Sequence, residues 1–275
     1  MTNASMSDAG PPSADIRCAE TWLRRHGLSD GPPTPLLAAR LAVRRRVRLL
    51  GSVLLAVLVV AASLAQVAAL PAASTSGGSG SHRLVPVLVL SVSIVGLLLT
   101  QALLDAWVRR VDRRVGAALP RRVTHPVQLG WAALLGRPYA VMAGATFACA
   151  FALGVSALVV TEGTARHAAV VLLVAVTGVA LGAVLQLREM LARPVVAEDE
   201  VSLTADVVMR IEDARESSAP AVLWTLPVVL LSGFAPGWWS AASVGFLVLG
   251  VLAFVAIHVR APAYASTARR AVGLQ

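Results

Sequence analysis

Glu198, Asp199, Glu200 and Asp206 crowd one short stretch, the densest set of carboxylates in the chain. A divalent cation needs several oxygen ligands converging on one point. Consecutive carboxylates on a turn suit the start of a solvated helix instead, where the backbone dipole favours negative charge. The histidines (His26, His82, His125, His167 and His258) are scattered and form no ligand set. Cys18 lies in an amino-terminal tail and Cys149 inside an apolar run, so neither a disulfide nor a metal pair is expected. There is no phosphate-binding glycine loop, nucleophile elbow or zinc-protease helix. The expectation is therefore no catalytic, cofactor-binding or metal-binding residue, and a protein that is not an enzyme.

The elements that must carry these residues are apolar. The 275 residues are 57% hydrophobic, against about 45–50% in an ordinary soluble domain. Six apolar runs stand out, at approximately 47–70, 84–107, 139–161, 168–186, 219–234 and 240–257. About 20 apolar residues cross a ~30 Å hydrocarbon core as a helix. Lipid offers no partner to a backbone amide, so helices are required. The predicted fold is all-α: a polytopic transmembrane bundle of six spans over residues 47–258. A tail over residues 1–46 precedes it and a second tail over residues 259–275 follows it.

Residues 219–257 are the most crowded part of this scheme. Pro227 removes a backbone donor near the centre of the fifth run. Gly233 to Trp239 supplies turn residues and tryptophans between the last two runs. Two spans are expected here, with a re-entrant pair as the alternative. Arg45-Arg46 before the first run loosely matches a twin-arginine signal. The long preceding tail and the length of the run favour a retained span.

Orientation follows from arginine placement. All 24 basic residues are arginine. The side holding both termini carries Arg40, Arg44, Arg45, Arg46, Arg48, the cluster from Arg109 to Arg137, Arg188, Arg193, Arg210, Arg215 and the carboxy-terminal arginines. The opposite side carries Arg83 and Arg166. The positive-inside rule then predicts a multi-pass protein of the cell (inner or plasma) membrane with both termini cytoplasmic. The net charge of +9 is assigned to the anionic inner leaflet of the bilayer and not to nucleic acid.

Short amphipathic helices are expected at that surface. Asp15–His26 places Ile16, Ala19 and Leu23 on one face, with Gly27 as its stop. Thr34-Pro35 reads as an N-cap followed by a first-turn proline. The helix beginning there carries Arg40, Arg44 and Arg48 in one stripe and is expected to lie on the inner leaflet before turning into span one. A basic extension of span two carries Arg109, Arg110, Arg113 and Arg114, with Asp105 one turn before Arg109. Ser202–Glu216 is expected to be an acidic amphipathic helix resting on that extension, with Asp206 facing Arg113. Trp107, Trp131, Tyr139, Trp224, Trp238 and Trp239 fall near span ends, as an aromatic belt does.

Within the spans, Ala140, Gly144, Ala148 and Ala152 recur every four residues, as do Gly178 and Gly182. Small residues at this spacing let helices approach closely. Spans three and four are expected to pack as an antiparallel hairpin through them, a homo-oligomer face being the alternative. The middle of the runs holds no ionisable residue, which argues against ion-coupled transport and intramembrane hydrolysis. Ser91, Ser93, Thr146, Thr177 and Ser243 are expected to bond their own helix or a neighbour.

The segment Ala19-Glu20-Thr21-Trp22-Leu23-Arg24-Arg25-His26-Gly27-Leu28 resembles the amino-terminal motif of uncharacterised actinobacterial multi-spanning integral membrane proteins. Arg193-Pro194 through Asp206 resembles a second stretch of the same proteins. Together these cover about a tenth of the chain and imply a membrane protein without assigning any residue a role. The expected function is a non-enzymatic accessory or scaffold protein acting through another membrane protein. The alternative is the membrane subunit of an ATP-binding-cassette exporter, served by a separate ATPase subunit.

Overall fold

The structure is a computed structural model that describes residues 13–28, 33–74, 84–118, 123–125, 135–192, 195–197, 200–218, 221–232, 234–235 and 237–260. Among the described residues the regular structure is helical apart from one pair of three-residue strands. The elements are α1 (Ser13–Arg25), α2 (Pro35–Ser74), α3 (Leu84–Ala118), β1 (Val123–His125), α4 (Arg137–Val160), α5 (Gly163–Ala192), β2 (Val195–Ala197), α6 (Glu200–Ser218), α7 (Ala221–Leu231) and α8 (Gly237–Arg260).

Five of these helices, α2, α3, α4, α5 and α8, are long and apolar enough to cross a membrane. Their outward faces stay apolar: Leu64, Val92, Leu103, Val141, Val159, Val174 and Leu252 are each largely exposed. Water would penalise such a surface and lipid would not. This is a membrane protein.

The fifth expected span has a different form. Residues 219–234 yield the 11-residue α7, about 16 Å long at 1.5 Å per residue and roughly half of a ~30 Å core. Lipid does not surround it. Val222, Leu223, Trp224, Leu226, Val229, Leu230 and Leu231 are all buried, and α2, α4, α5 and α8 pack around them. Protein neighbours on every side remove the need for a full-length span. Ala235 then donates back to the Leu231 carbonyl at 3.0 Å, and α8 returns alongside α7. The Ser240 hydroxyl donates to the Ser232 carbonyl at 3.0 Å. Trp224 lies beside Gly250 and Phe254. The carboxy end of α8 therefore returns to the end of the bundle where α7 began.

That end also gathers α1, the start of α2, the start of α4, the end of α5 and all of α6. A hydrophobic cluster there joins Leu23, Leu28, Tyr139, Met142, Val207, Val208, Ile211 and Trp224. The larger cluster fills the bundle, with Leu90, Ile94, Leu172, Leu226, Leu230 and Trp239 at its centre.

Local sequence explains the element ends. Gly27 adopts φ 64°, so Leu28 donates to the Leu23 carbonyl and Gly27 to that of Arg24. Leu23 and Leu28 are both buried, which completes a Schellman stop for α1. Thr34 caps α2 as expected, its Oγ1 accepting from Leu37 N at 3.3 Å. The arginine-bearing segment does not lie flat and turn; it continues straight into the span as one 40-residue helix. Between Pro35 and Gly51 it contains neither glycine nor proline, so nothing local breaks it.

β1 and β2 pair antiparallel, with Val123 opposite Ala197 and His125 opposite Val195. They tie the connector after α3 to the connector after α5. Nothing in the apolar pattern pointed to this pairing.

Candidate interaction face at the charged end

α6 lies across the charged end, and burial covers more than one of its faces. Leu203, Ala205, Val207, Val208 and Ile211 are buried, and so are Thr204 and Asp206. A surface helix would leave its polar stripe in water. Here the stripe meets α2. Arg40 Nη2 lies 2.6 Å from Asp206 Oδ1, and Arg44 Nε lies 2.8 Å from Asp213 Oδ2. Arg48 Nη2 stands 3.7 Å from both Glu212 and Asp213. Arg40, Arg44 and Arg48 recur every four residues on α2. Asp206 and Asp213 are seven apart on α6, so both helices present one charged face.

This corrects one expectation. The arginine stripe meets carboxylates and not the leaflet, because a charge leaving bulk water is better compensated by a fixed counter-charge and hydrogen bonds than by apolar surface. Asp206 is held by Arg40, and by Arg210 on its own helix at 2.9 Å. The side chains of Arg113 and Arg114 lie outside the described residues, so the expected Asp206–Arg113 contact falls there too. Two guanidinium groups outweigh the burial that would raise the Asp206 pKa, and it is lowered.

α1 is attached to the same helix by a second set of contacts. Trp22 Nε1 donates to Glu212 Oε2 at 3.3 Å. His26 Nε2 lies 3.3 Å from Glu212 Oε1, and its Nδ1 lies 2.8 Å from the Trp22 carbonyl oxygen. Both ring nitrogens thus face acceptors, an arrangement fully satisfied by the imidazolium. Burial by itself would lower the His26 pKa; the bonds to Glu212 and the Trp22 carbonyl outweigh it, and the pKa is raised. Burial would raise Glu212; the His26 hydrogen bond and Arg48 bring it below the ordinary value.

The start of α4 and the end of α8 close the other side. Tyr139 is buried, with its hydroxyl 3.3 Å from His258 Nδ1. The Arg215 guanidinium carbon sits 5.0 Å from the centre of the Tyr139 ring, a cation–π distance. Phe254 packs edge-on to Tyr139 and Trp224.

The remaining sequence-predicted residues divide clearly. Arg109 pairs with Glu189 at 3.5 Å, Arg110 is exposed, and Trp107 and Trp238 are exposed as belt residues should be. Trp131 lies outside the described residues, as do Glu198 and Asp199. Trp239, Trp224 and Tyr139 are not belt residues; all three are buried. α8 turns Trp239 and Ser243, four apart, inward, and leaves Trp238 outside against the Trp239 ring at 3.8 Å.

The α4–α5 hairpin is present, but not through the expected stripe. Gly144, Ala148 and Ala152 face outward, Ala140 is half-buried, and Gly178 and Gly182 are exposed. The inward face of α4 is Met142, Thr146, Ala150, Gly154 and Ala157. A Cβ at Gly154 would stand 2.7 Å from Leu173 Cδ2, so α5 packs closely against α4 at Gly154. Gly178 faces α3, with Leu98 Cδ1 at 3.8 Å from its Cβ position.

Most hydroxyls in the spans bond along their own helices; Ser243, expected to bond its own helix or a neighbour, is buried and its Oγ has no hydrogen-bond partner among the described residues. Ser93 donates to the Val89 carbonyl, Thr146 to Met142, Ser156 to Ala152 and Thr177 to Leu173.

Sequence reasoning missed the roles of Trp22, His26, Glu212 and Asp213. The available signal was the matching periodicity of the arginines on α2 and the acids on α6. No protein-family model, curated protein or solved structure matches the chain.

Proposed function

We propose that this protein is a non-enzymatic accessory or scaffold component of the cell membrane, with both termini cytoplasmic, that acts by binding another membrane or signalling protein. The observation that carries this reading is the engagement of the charged side chains of α1, α2 and α6 with one another. The α6 carboxylates hold α1 and α2, and the span hydroxyls named above bond their own helix carbonyls. Such a molecule presents a fixed, preorganised cytoplasmic surface, which favours recognition. Arginine placement supports the cytoplasmic assignment.

The exporter-subunit reading has one supporting observation, a helix (α6) lying across the charged end between α5 and α7. Against it, most of α6 is buried, packed on β2, α5 and α4 and ion-paired to α2, and it offers little surface to an ATPase.

The deciding experiment is extraction of the tagged protein from its native membrane in mild detergent, followed by identification of stoichiometric companions. The expected companion is a membrane or signalling protein without an ATP-binding domain. A stoichiometric ATP-binding subunit would overturn the accessory reading in favour of the exporter.

A further inference from the structure

α2 carries a second set of arginines that points away from α6. Arg45 and Arg46 are exposed. Among the described residues neither has an acidic partner, whereas Arg40, Arg44 and Arg48 each have one. Among the described residues Arg45 makes one polar contact, its Nη1 lying 3.0 Å from Cys18 Sγ on α1.

The surface that continues from them is apolar. One turn along α2, Leu49 and Leu50 are about half exposed, followed by Val53, Val57, Val60 and Leu64 on the same side. From Arg46 to Leu64 the helix rises ~27 Å, close to a ~30 Å hydrocarbon core. With this stripe in the acyl chains, Arg45 and Arg46 stand at the depth of the lipid phosphates.

We infer that Arg45 and Arg46 form a headgroup clamp for an anionic phospholipid, whose acyl chains lie along Leu49, Leu50, Val53 and Val57. A guanidinium offers a planar fork matched to two phosphate oxygens. Two adjacent forks on one helix, next to α1, favour a lipid with net negative charge over a zwitterionic one, whose own cation would be repelled. The α6 carboxylates leave this site intact because they neutralise the other face of α2. The inference does not rest on the protein's partners and stands whether or not the accessory reading does.

The test uses the full-length protein in mild detergent with equimolar phosphatidylglycerol and phosphatidylcholine, the bound lipid being counted by native mass spectrometry. Wild type should retain phosphatidylglycerol preferentially. The double variant R45Q/R46Q should lose most of that preference, about fivefold for each arginine removed. The charge-matched R24Q/R25Q, on the exposed face of α1, should keep it. Equal behaviour of the two doubles, or no preference in wild type, overturns the clamp. Should R45Q/R46Q fail to fold, phenylglyoxal footprinting of wild type in nanodiscs decides. Phosphatidylglycerol discs should shield Arg45 and Arg46 more than phosphatidylcholine discs do, with Arg24 and Arg25 unchanged. Equal reactivity in both lipids overturns the proposal.

Discussion

Arg40 and Asp206 lie 166 positions apart in sequence and meet at 2.6 Å, joining the first long helix to the helix laid across the end of the bundle. The Asp206 side chain is 3% exposed and that of Arg40 19%. Removing one partner of a buried pair costs about 3–5 kcal/mol, because the other charge is stranded. Asp206→Ala should therefore destabilise the protein by about 3 kcal/mol in a reversible detergent-unfolding assay. Arg40→Ala should cost less, since Arg210 still faces Asp206. The charge swap Arg40→Asp with Asp206→Arg should recover part of the loss. Combining Asp206→Arg with Arg113→Asp should recover none; recovery by that pairing would refute the arrangement described.

The docking of α1 should depend on pH in a defined direction. His26 has a folded pKa above its ordinary 6.5. Its contribution is complete below 6.5 and is lost as pH rises through the folded value. Glu212 and Asp206 have folded values below 4.5 and 3.8. Their contributions are present above those ordinary values and are lost as pH falls through the folded ones. α1 should be held most firmly between these limits. Hydrogen exchange, corrected for intrinsic rate, should show α1 better protected at about pH 5.5 than at about pH 8.5. His26→Gln should flatten the difference. Equal protection in wild type at both values would remove His26 from the attachment.

Glycine substitutions should separate true close approaches from mere small-residue spacing. A Cβ at Gly250 would stand 2.7 Å from Trp224 Nε1, an indole already packed against Phe254. Gly250→Ala should cost about 1–3 kcal/mol through overpacking. Gly154→Ala meets the movable end of Leu173 and should cost less. Gly144→Ala meets nothing within 4 Å and should be neutral or slightly stabilising, given the helix propensity of alanine. The measurement is the unfolding midpoint of the three variants side by side. A large loss at Gly144 would restore the stripe of Ala140, Gly144, Ala148 and Ala152 as a helix contact.

The placement of α1 and the carboxy end of α8 at one side of the bundle predicts a labelling pattern. In a background lacking Cys18 and Cys149, cysteines introduced at Ser13 and at Arg260 should react with a membrane-impermeant maleimide only when the cytoplasmic face is open. A cysteine at Glu162, in the α4–α5 turn, should react from outside. Opposite sidedness for the two ends would mean that α7 and α8 do not form an out-and-back pair.

The long helices were legible because a run of apolar residues has few alternatives in lipid. The amino-terminal cap at Thr34 and the stop at Gly27 were legible for a local reason: each is written in two or three adjacent residues. The form of residues 219–234 was not, because an apolar segment reads alike whether lipid or protein surrounds it. Only the burial of Leu226 and Leu230 distinguishes the cases. The outward orientation of Gly144 and Ala148 was hidden for a related reason. Both faces of α4 carry small residues, and Ala150, Gly154 and Ala157 repeat at nearly the same spacing. At the charged end the periodicities were visible but ambiguous. The acids of α6 suit the arginines of α2 and the basic extension of α3 equally well by count, and the choice depends on where the bundle places α6.

A ribosome delivers this chain from its amino end, and α6 leaves it after all four of the earlier long helices. Arg40, Arg44 and Arg48 therefore reach the insertion machinery as bare cations, before Asp206, Glu212 and Asp213 have been translated. At that stage they can act as retention signals that fix the direction of the first helix. Once α6 appears, the same three side chains become mortar between segments. One set of arginines is thus available for two successive tasks, separated by the time needed to synthesise what lies between them.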